Sequence, residues 1–170
     1  MNGKAAVLVV FRVGENGREV LLIRRTESAD DPWSGQIAFP GGHAEPGDAS
    51  LLDTATREAF EEVGLVKDII EGTPTPAGTH YTGNRRANTA VEVFVASLHP
   101  GARPSLKPGP EVASLFWAPL DQLRRERRRV SFVGSNGLVE EEGFVFGKDF
   151  VWGLTYRILS SIIKQERERN

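Results

Sequence analysis

From Ala5 to Val13 the chain is almost continuously apolar and rich in Val and Leu, a run that predicts a buried strand. Gly14-Glu-Asn-Gly17 marks a turn, and Glu19–Arg25 (Glu-Val-Leu-Leu-Ile-Arg-Arg) predicts the returning arm of a hairpin. A polar loop follows over Thr26–Ser34. Gln36–Phe39 reads as a short strand that Pro40-Gly41-Gly42 stops. Beyond Ser50 the apolar period lengthens to that of a helix: Leu52, Ala55, Ala59 and Val63 form a stripe with Phe60 alongside, and Gly64 suits the C-terminal cap. Val66–Glu71 reads as extended, and Ala87–Ser97 alternates as a strand does.

His99–Pro110 holds four prolines and two glycines and predicts a loop. Val112–Trp117 predicts a strand, and Pro119–Arg128 a helix with proline in its first turn. Val130–Val133 and Leu138–Phe146 read as short strands around Gly134-Ser-Asn-Gly137. Asp149–Arg167 reads as a closing amphipathic helix with Trp152, Leu154, Ile158, Leu159, Ile162 and Ile163 on its apolar side. No internal repeat or low-complexity linker interrupts this order, so residues 1–170 are expected to form one domain with a mixed sheet.

Composition narrows the classes of function. Apolar residues are 39%, charged residues 26% and the net charge is −2, which fits neither a polyanion binder nor a disordered tail. The run Arg124-Arg-Glu-Arg-Arg-Arg129 is interrupted by Glu126 and reads as a solvated helix end, so nucleic acid is not an expected partner. The chain has no cysteine, which excludes disulfides, thiolate metal sites and cysteine nucleophiles and is compatible with a cytoplasmic protein. The N-terminus has no signal-peptide layout, and no apolar run approaches the ~20 residues that span a bilayer. A membrane partner is not expected.

The chemistry concentrates in Gly42-His-Ala-Glu-Pro-Gly-Asp48 and Arg57-Glu58-Ala-Phe-Glu61-Glu62-Val-Gly64. On a helix, Glu58 and Glu62 share one edge, and Arg57 and Glu61 the neighbouring one. Two carboxylates aimed together at a glycine-rich loop make a poor core but a good seat for a hard divalent cation. Magnesium takes oxygen ligands and is commonly shared between carboxylates and substrate phosphates. The plainer alternative is a solvated helix face in which Arg57 and Glu61 form an i,i+4 pair worth a few tenths of a kcal/mol.

These residues resemble the motif of the Nudix hydrolases: Gly, five residues, Glu, seven residues, then Arg-Glu-x-x-Glu-Glu-x-Gly and an aliphatic. The chain has Gly42, five residues, Asp48, eight residues, then Arg57-Glu58-Ala59-Phe60-Glu61-Glu62-Val63-Gly64-Leu65. Asp48 stands where the family has Glu, and one extra residue precedes Arg57. The resemblance implies a Nudix-type α/β/α sandwich and hydrolysis of a pyrophosphate bond with Mg²⁺ or Mn²⁺. By the same resemblance Glu58 and Glu62 bind the ion, Glu61 shares a further one, Arg57 orients Glu61, and the Gly41 carbonyl supplies a backbone ligand. The general base is either Glu61 or Glu111, the latter otherwise an exposed loop acid.

The remaining candidates are weighed against simpler roles. Asp48 reads as a loop-shaping residue that accepts hydrogen bonds in its own turn, with Gly42 and Gly64 shaping the loop and helix end. Arg24, Arg25, Arg85 and Arg86 could meet phosphate oxygens, but Arg24 and Arg25 alternate on a strand, so only one faces the cleft. Leu21–Arg25, Trp33–Gly42 and Val151-Trp-Gly-Leu-Thr155 are similar to the coenzyme A pyrophosphatase branch, although Ala29-Asp-Asp-Pro-Trp33 replaces that branch's Leu-Arg-x-His. The expected partner is therefore a nucleotide-type substrate: coenzyme A or a derivative, with ADP-ribose, a nucleotide sugar or a nucleoside triphosphate as alternatives. A non-catalytic nucleotide-binding domain is the rival class, which the intact carboxylates disfavour. The resemblance also implies a homodimer.

Overall fold

The computed structural model describes residues 3–15, 17–28, 34–82, 89–132 and 135–169. In chain order they form β1 (Lys4–Gly14), β2 (Gly17–Arg25), β3 (Ile37–Ala38), β4 (Gly41–His43), α1 (Leu51–Val63), β5 (Thr75–Tyr81), β6 (Ala90–Ser97), β7 (Val112–Pro119), β8 (Arg124–Val130), β9 (Val139–Phe146), β10 (Asp149–Trp152) and α2 (Gly153–Arg169). A mixed sheet of seven strands, β1 to β7, carries the site, and β8, β9 and β10 make a separate antiparallel sheet. The protein is α/β with a mixed sheet, as the sequence predicts.

The apolar run of β1 is explained by burial on both faces. Ala6, Leu8 and Val10 pack with Ala55, Ala59 and Val63 of α1, whereas Val9 and Phe11 pack with Phe144, Val151, Tyr156, Ile158 and Leu159 on the other side. β1 and β2 pair tightly only near their turn, from Phe11↔Val20 to Gly14↔Gly17. Farther from the turn they diverge, and the segment from Ile37 to His43 enters the wedge. Its first residues pair with β2 (Ile23↔Ala38), Leu8 N–H donates to the Pro40 carbonyl at 2.8 Å, and its last residues pair with β1 (Val7↔Gly41). This wedge sets Gly41 and Gly42 inside the sheet, directly beneath α1. β7 and β6 complete the two sides, pairing with β2 and β1.

α1 keeps its expected ends. The Ser50 hydroxyl accepts from Asp53 N–H at 3.1 Å, and Gly64 closes the helix at φ +72° with its N–H on the Ala59 and Phe60 carbonyls. Phe60, placed beside the apolar stripe by the sequence, instead points outward and is 57% exposed.

Several segments differ from expectation: Gly41 and Gly42, expected to stop a strand, open β4, and among the described residues of the expected Val130–Val133 strand only Val130 lies in one, as the end of β8. Pro119–Arg128 is a single 3₁₀ turn, Leu120–Gln122, followed by strand β8. β8 lies against an acidic run on β9, with Arg127↔Glu142, Arg128↔Glu141 and Arg129↔Glu140 opposed, and these cross-strand charge pairs favour the strand. Val66–Glu71 contains a 3₁₀ turn at Lys67–Ile69, tied back by the Ile70↔Leu98 bridge. The closing helix begins four residues later than expected, because Asp149–Trp152 pairs with Phe146–Gly143 as β10. β5 fills a stretch for which no element is expected from the residues alone. The expected strand Ala87–Ser97 is seen from Ala90; its start, like Arg85 and Arg86, lies outside the described residues, as do Ala29–Trp33 and Val133-Gly134.

Candidate active site

α1 presents its acidic edge to the turn in the wedge. Glu62 is buried, 6% exposed, and its Oε2 accepts from Gly41 N–H at 2.9 Å. Burial pushes the Glu62 carboxyl up to about 7, against the Gly41 bond, and the charges of Glu58 and Glu111 push it the same way. Glu58 is also raised, chiefly by burial, with Arg57 opposing and Glu61 and Glu111 adding to the rise. Glycine is required for space at Gly41, and a side chain at Gly42 would displace the Glu58 carboxylate. A Cβ on Gly42 would stand 2.5 Å from Glu58 Oε1, and one on Gly41 would stand 2.3 Å from the Ala6 carbonyl oxygen.

Arg57 is the hub that joins Asp48, Glu58 and Glu61. Its Nε and Nη2 donate to the two oxygens of Asp48 at 2.9 and 3.1 Å, a bidentate clamp. Nη1 reaches Glu58 at 3.1 Å and Glu61 at 3.0 Å, and Nη2 also donates to the His43 carbonyl at 3.1 Å. Asp48 further accepts from Glu45 N–H at 2.9 Å and from the Thr54 hydroxyl at 2.8 Å. The Arg57 guanidinium therefore holds the Asp48 carboxyl far below the usual carboxylate range, and Asp48 in turn raises Arg57. Asp48, expected to shape its loop, thus bonds both its own turn and Arg57. Substituting Asp for Glu and lengthening the loop leave this clamp closed.

The two strand arginines part as alternation requires. Arg25 Nη1 lies 3.9 Å from Glu62 Oε1, and its Nη2 lies 3.9 Å from Glu111 Oε2. Arg24 turns to the opposite face, where it pairs with Asp149 and donates to the Gly35 carbonyl at 3.4 Å. There it borders a cavity of about 660 Å³ with Gln36, Phe132, Lys148 and Trp152. Sequence reasoning missed Thr54 and the His43 carbonyl, whose contributions depend on the fold of the loop and carry no local signal.

The donor set suits a hard cation: two poorly solvated carboxylates, a third beside them on Arg57, and like charges that mutually raise their proton affinity. Among the described residues no three acidic or imidazole groups are already gathered around one point. Two carboxylates completed by main-chain oxygen, water and substrate phosphate match the way magnesium is usually held.

On this α/β fold, the relatives and structural neighbours support a hydrolase acting on phosphoric anhydride bonds. The NUDIX domain profile matches residues 3–133, and the chain belongs to the Nudix family. Over 166 residues it is 31% identical to the uncharacterized Nudix hydrolase NudL of Yersinia pestis, covering 96% of this chain and 80% of the relative. A MutT/nudix family protein from Enterococcus faecalis shares the fold at TM-score 0.65 and 20% identity, over 99% of this chain and 63% of that one. The NUDIX domain of Shewanella oneidensis NrtR, solved with ADP ribose, aligns at TM-score 0.58 and 22% identity over 71% of this chain and 75% of its own. Nudix hydrolases generally use divalent metal ions. No helix among the described residues is long and apolar enough to cross a membrane.

Proposed function

We propose that residues 1–170 form one Nudix domain that hydrolyses the pyrophosphate link of a nucleoside diphosphate joined to another group, with Mg²⁺ or Mn²⁺. The observation that carries this reading is the burial of Glu62 against Gly41, facing Arg25, with Glu58 over Gly42 and bonded to Arg57. Glu58 and Glu62 hold the ion, with Glu61 and the Gly41 carbonyl as further donors. A divalent ion bound there would supply charge neutralisation for phosphate oxygens and a more acidic water.

The chain's own groups do the rest. Asp48 keeps Arg57 in place, and Arg57 fixes Glu58 and Glu61 relative to each other, which holds the carboxylates in position before substrate arrives. Arg25 lies on the same face and meets phosphate oxygens. Glu61 or Glu111 accepts the proton as water attacks one phosphorus, and the oxygen between the phosphates leaves on the other. The products are two monophosphate species.

Coenzyme A or a derivative is the substrate we favour. The stretches resembling that branch support the choice. Their described parts also meet in space: the buried Thr155 hydroxyl donates to the Ile37 carbonyl at 2.9 Å, joining Val151–Thr155 to Ser34–Gly42. The test is purified protein with Mg²⁺ and a panel of coenzyme A, ADP-ribose, dinucleoside polyphosphates and nucleoside triphosphates, with products separated by chromatography. Coenzyme A cleaved faster than the others is the expected result; preference for ADP-ribose or a triphosphate overturns the substrate, and inertness towards the whole panel overturns catalysis on these compounds. Light scattering of the same sample tests the expected homodimer.

A further inference from the structure

The proline-rich loop, expected only to connect two strands, is fastened to the last turn of α1. Gly109 N–H donates to the Glu62 carbonyl at 2.8 Å and Lys107 N–H to the Val63 carbonyl at 3.1 Å, satisfying main-chain acceptors that the helix end leaves open. Contact at Gly109 is so close that a Cβ there would stand 2.4 Å from the Glu61 carbonyl oxygen. Main-chain atoms of a capped helix cannot yield easily, so only glycine fits.

The same residue starts the turn that presents Glu111. Val112 N–H donates to the Gly109 carbonyl at 3.1 Å, closing a four-residue turn with Pro110 in its second position, where proline's fixed φ is favoured. Thr26 N–H adds a bond to the Glu111 carbonyl at 3.0 Å. The Glu111 main chain is thus held on both sides, while its carboxylate stays exposed and 3.9 Å from Arg25, the arginine that also lies 3.9 Å from Glu62.

We infer that Gly109 is a positioning residue: lacking a side chain, it lets the Pro108–Val112 turn dock on α1 and so fixes Glu111 in register with Glu62 across Arg25. The inference rests on the reading of Glu111 as a site carboxylate. It assigns to the loop a role in setting the site that neither the motif nor the loop's composition announces.

The test uses the full chain and MnCl₂ binding followed by calorimetry, with turnover of coenzyme A and ADP-ribose as a second readout. Gly109→Ala is expected to weaken Mn²⁺ binding about tenfold, as displaced supporting groups do at metal sites. Glu111→Gln is expected to match it, and the double variant to bind no more weakly than Glu111→Gln alone. A merely structural glycine would lower the melting temperature without this dependence on Glu111. Gly109→Ala with wild-type affinity, additive losses in the double variant, or a loss in Gly109→Ala beside an unaffected Glu111→Gln would each overturn the inference. Wild-type protein that binds no Mn²⁺ at ~1 mM would instead overturn the metal site itself. Should Gly109→Ala not fold, Pro110→Gly frees the turn without adding an atom to the contact. A loss of about threefold that vanishes in the Glu111→Gln background supports the link, and equal losses in both backgrounds reject it.

Discussion

Two parts of this molecule are written in nearly the same letters. α1 carries Arg57-Glu58 and Glu61-Glu62, and the β8–β9 pair sets Arg127, Arg128 and Arg129 opposite Glu142, Glu141 and Glu140. On the second sheet these three arginines face three glutamates across the ladder, and Arg127–Glu140, at 3.4 Å, has both side chains well exposed. On α1 the acids outnumber the local cations and one of them is buried. Chemistry follows from that imbalance and desolvation, not from the presence of charge.

The sharpest way to break the comparison is to neutralise one acid in each part. Glu62→Gln keeps an acceptor for Gly41 N–H but removes the buried charge, and turnover is expected to fall about 10²–10³-fold, the several kcal/mol that metal-assisted charge neutralisation supplies. Glu141→Gln is expected to leave steady-state rates unchanged. A Glu62→Gln enzyme of normal activity would remove Glu62 from the site.

The next effect is on stability in the metal-free protein. Glu62 has a folded pKa raised from 4.5 to about 7, so the folded state keeps the proton longer than the unfolded chain. Its contribution is complete below about pH 4.5 and is lost as pH rises through about 7, a difference of about 3 kcal/mol at most. Thermal melts of chelator-treated protein should therefore show a stability loss between pH 5 and pH 8 that Glu62→Gln flattens. Mg²⁺ should raise the melting temperature more at pH 8 than at pH 5. Asp48 acts in the reverse sense, since its lowered pKa makes its contribution one that is lost in strong acid.

Loosening the hub comes third. Asp48→Asn weakens the clamp on Arg57 while leaving Glu58 and Glu62 unchanged, and is expected to reduce metal affinity or activity about 10–100-fold, as outer-shell changes do. Metal titration followed by kinetics reads this directly. The smallest effect belongs to the ladder: removing Arg127 or Glu140 should change unfolding free energy by ~0.5 kcal/mol or less, measured by denaturant melts. A larger value would mean that the two parts are more alike than their exposure indicates.

The same contrast explains what could be read from the chain. The ends of α1 were legible because Ser50 and Gly64 act locally, and β1 because a run buried on both faces announces itself. Glu58 and Glu62 were legible through their spacing and the glycines ahead of them. β8 was not, since Arg124–Arg129 carries no apolar alternation and its partner Glu140–Glu142 lies farther along the chain. Nor was the support of the site: Thr54 meets Asp48 through side chains brought together by the loop, His43 and Gly109 act on Arg57 and Glu62 through their main chain, and no spacing rule encodes these contacts.

The wedge between β1 and β2 has a mechanical consequence. A turn at the rim of a protein can fray alone, but the strand carrying Gly41 is stitched to β2 at its start and to β1 at its finish. Its amides should exchange with solvent only through openings that separate the sheet itself. The floor beneath the acidic edge of α1 then has no private melting transition: it stays rigid for as long as the whole sheet holds, and is lost with it.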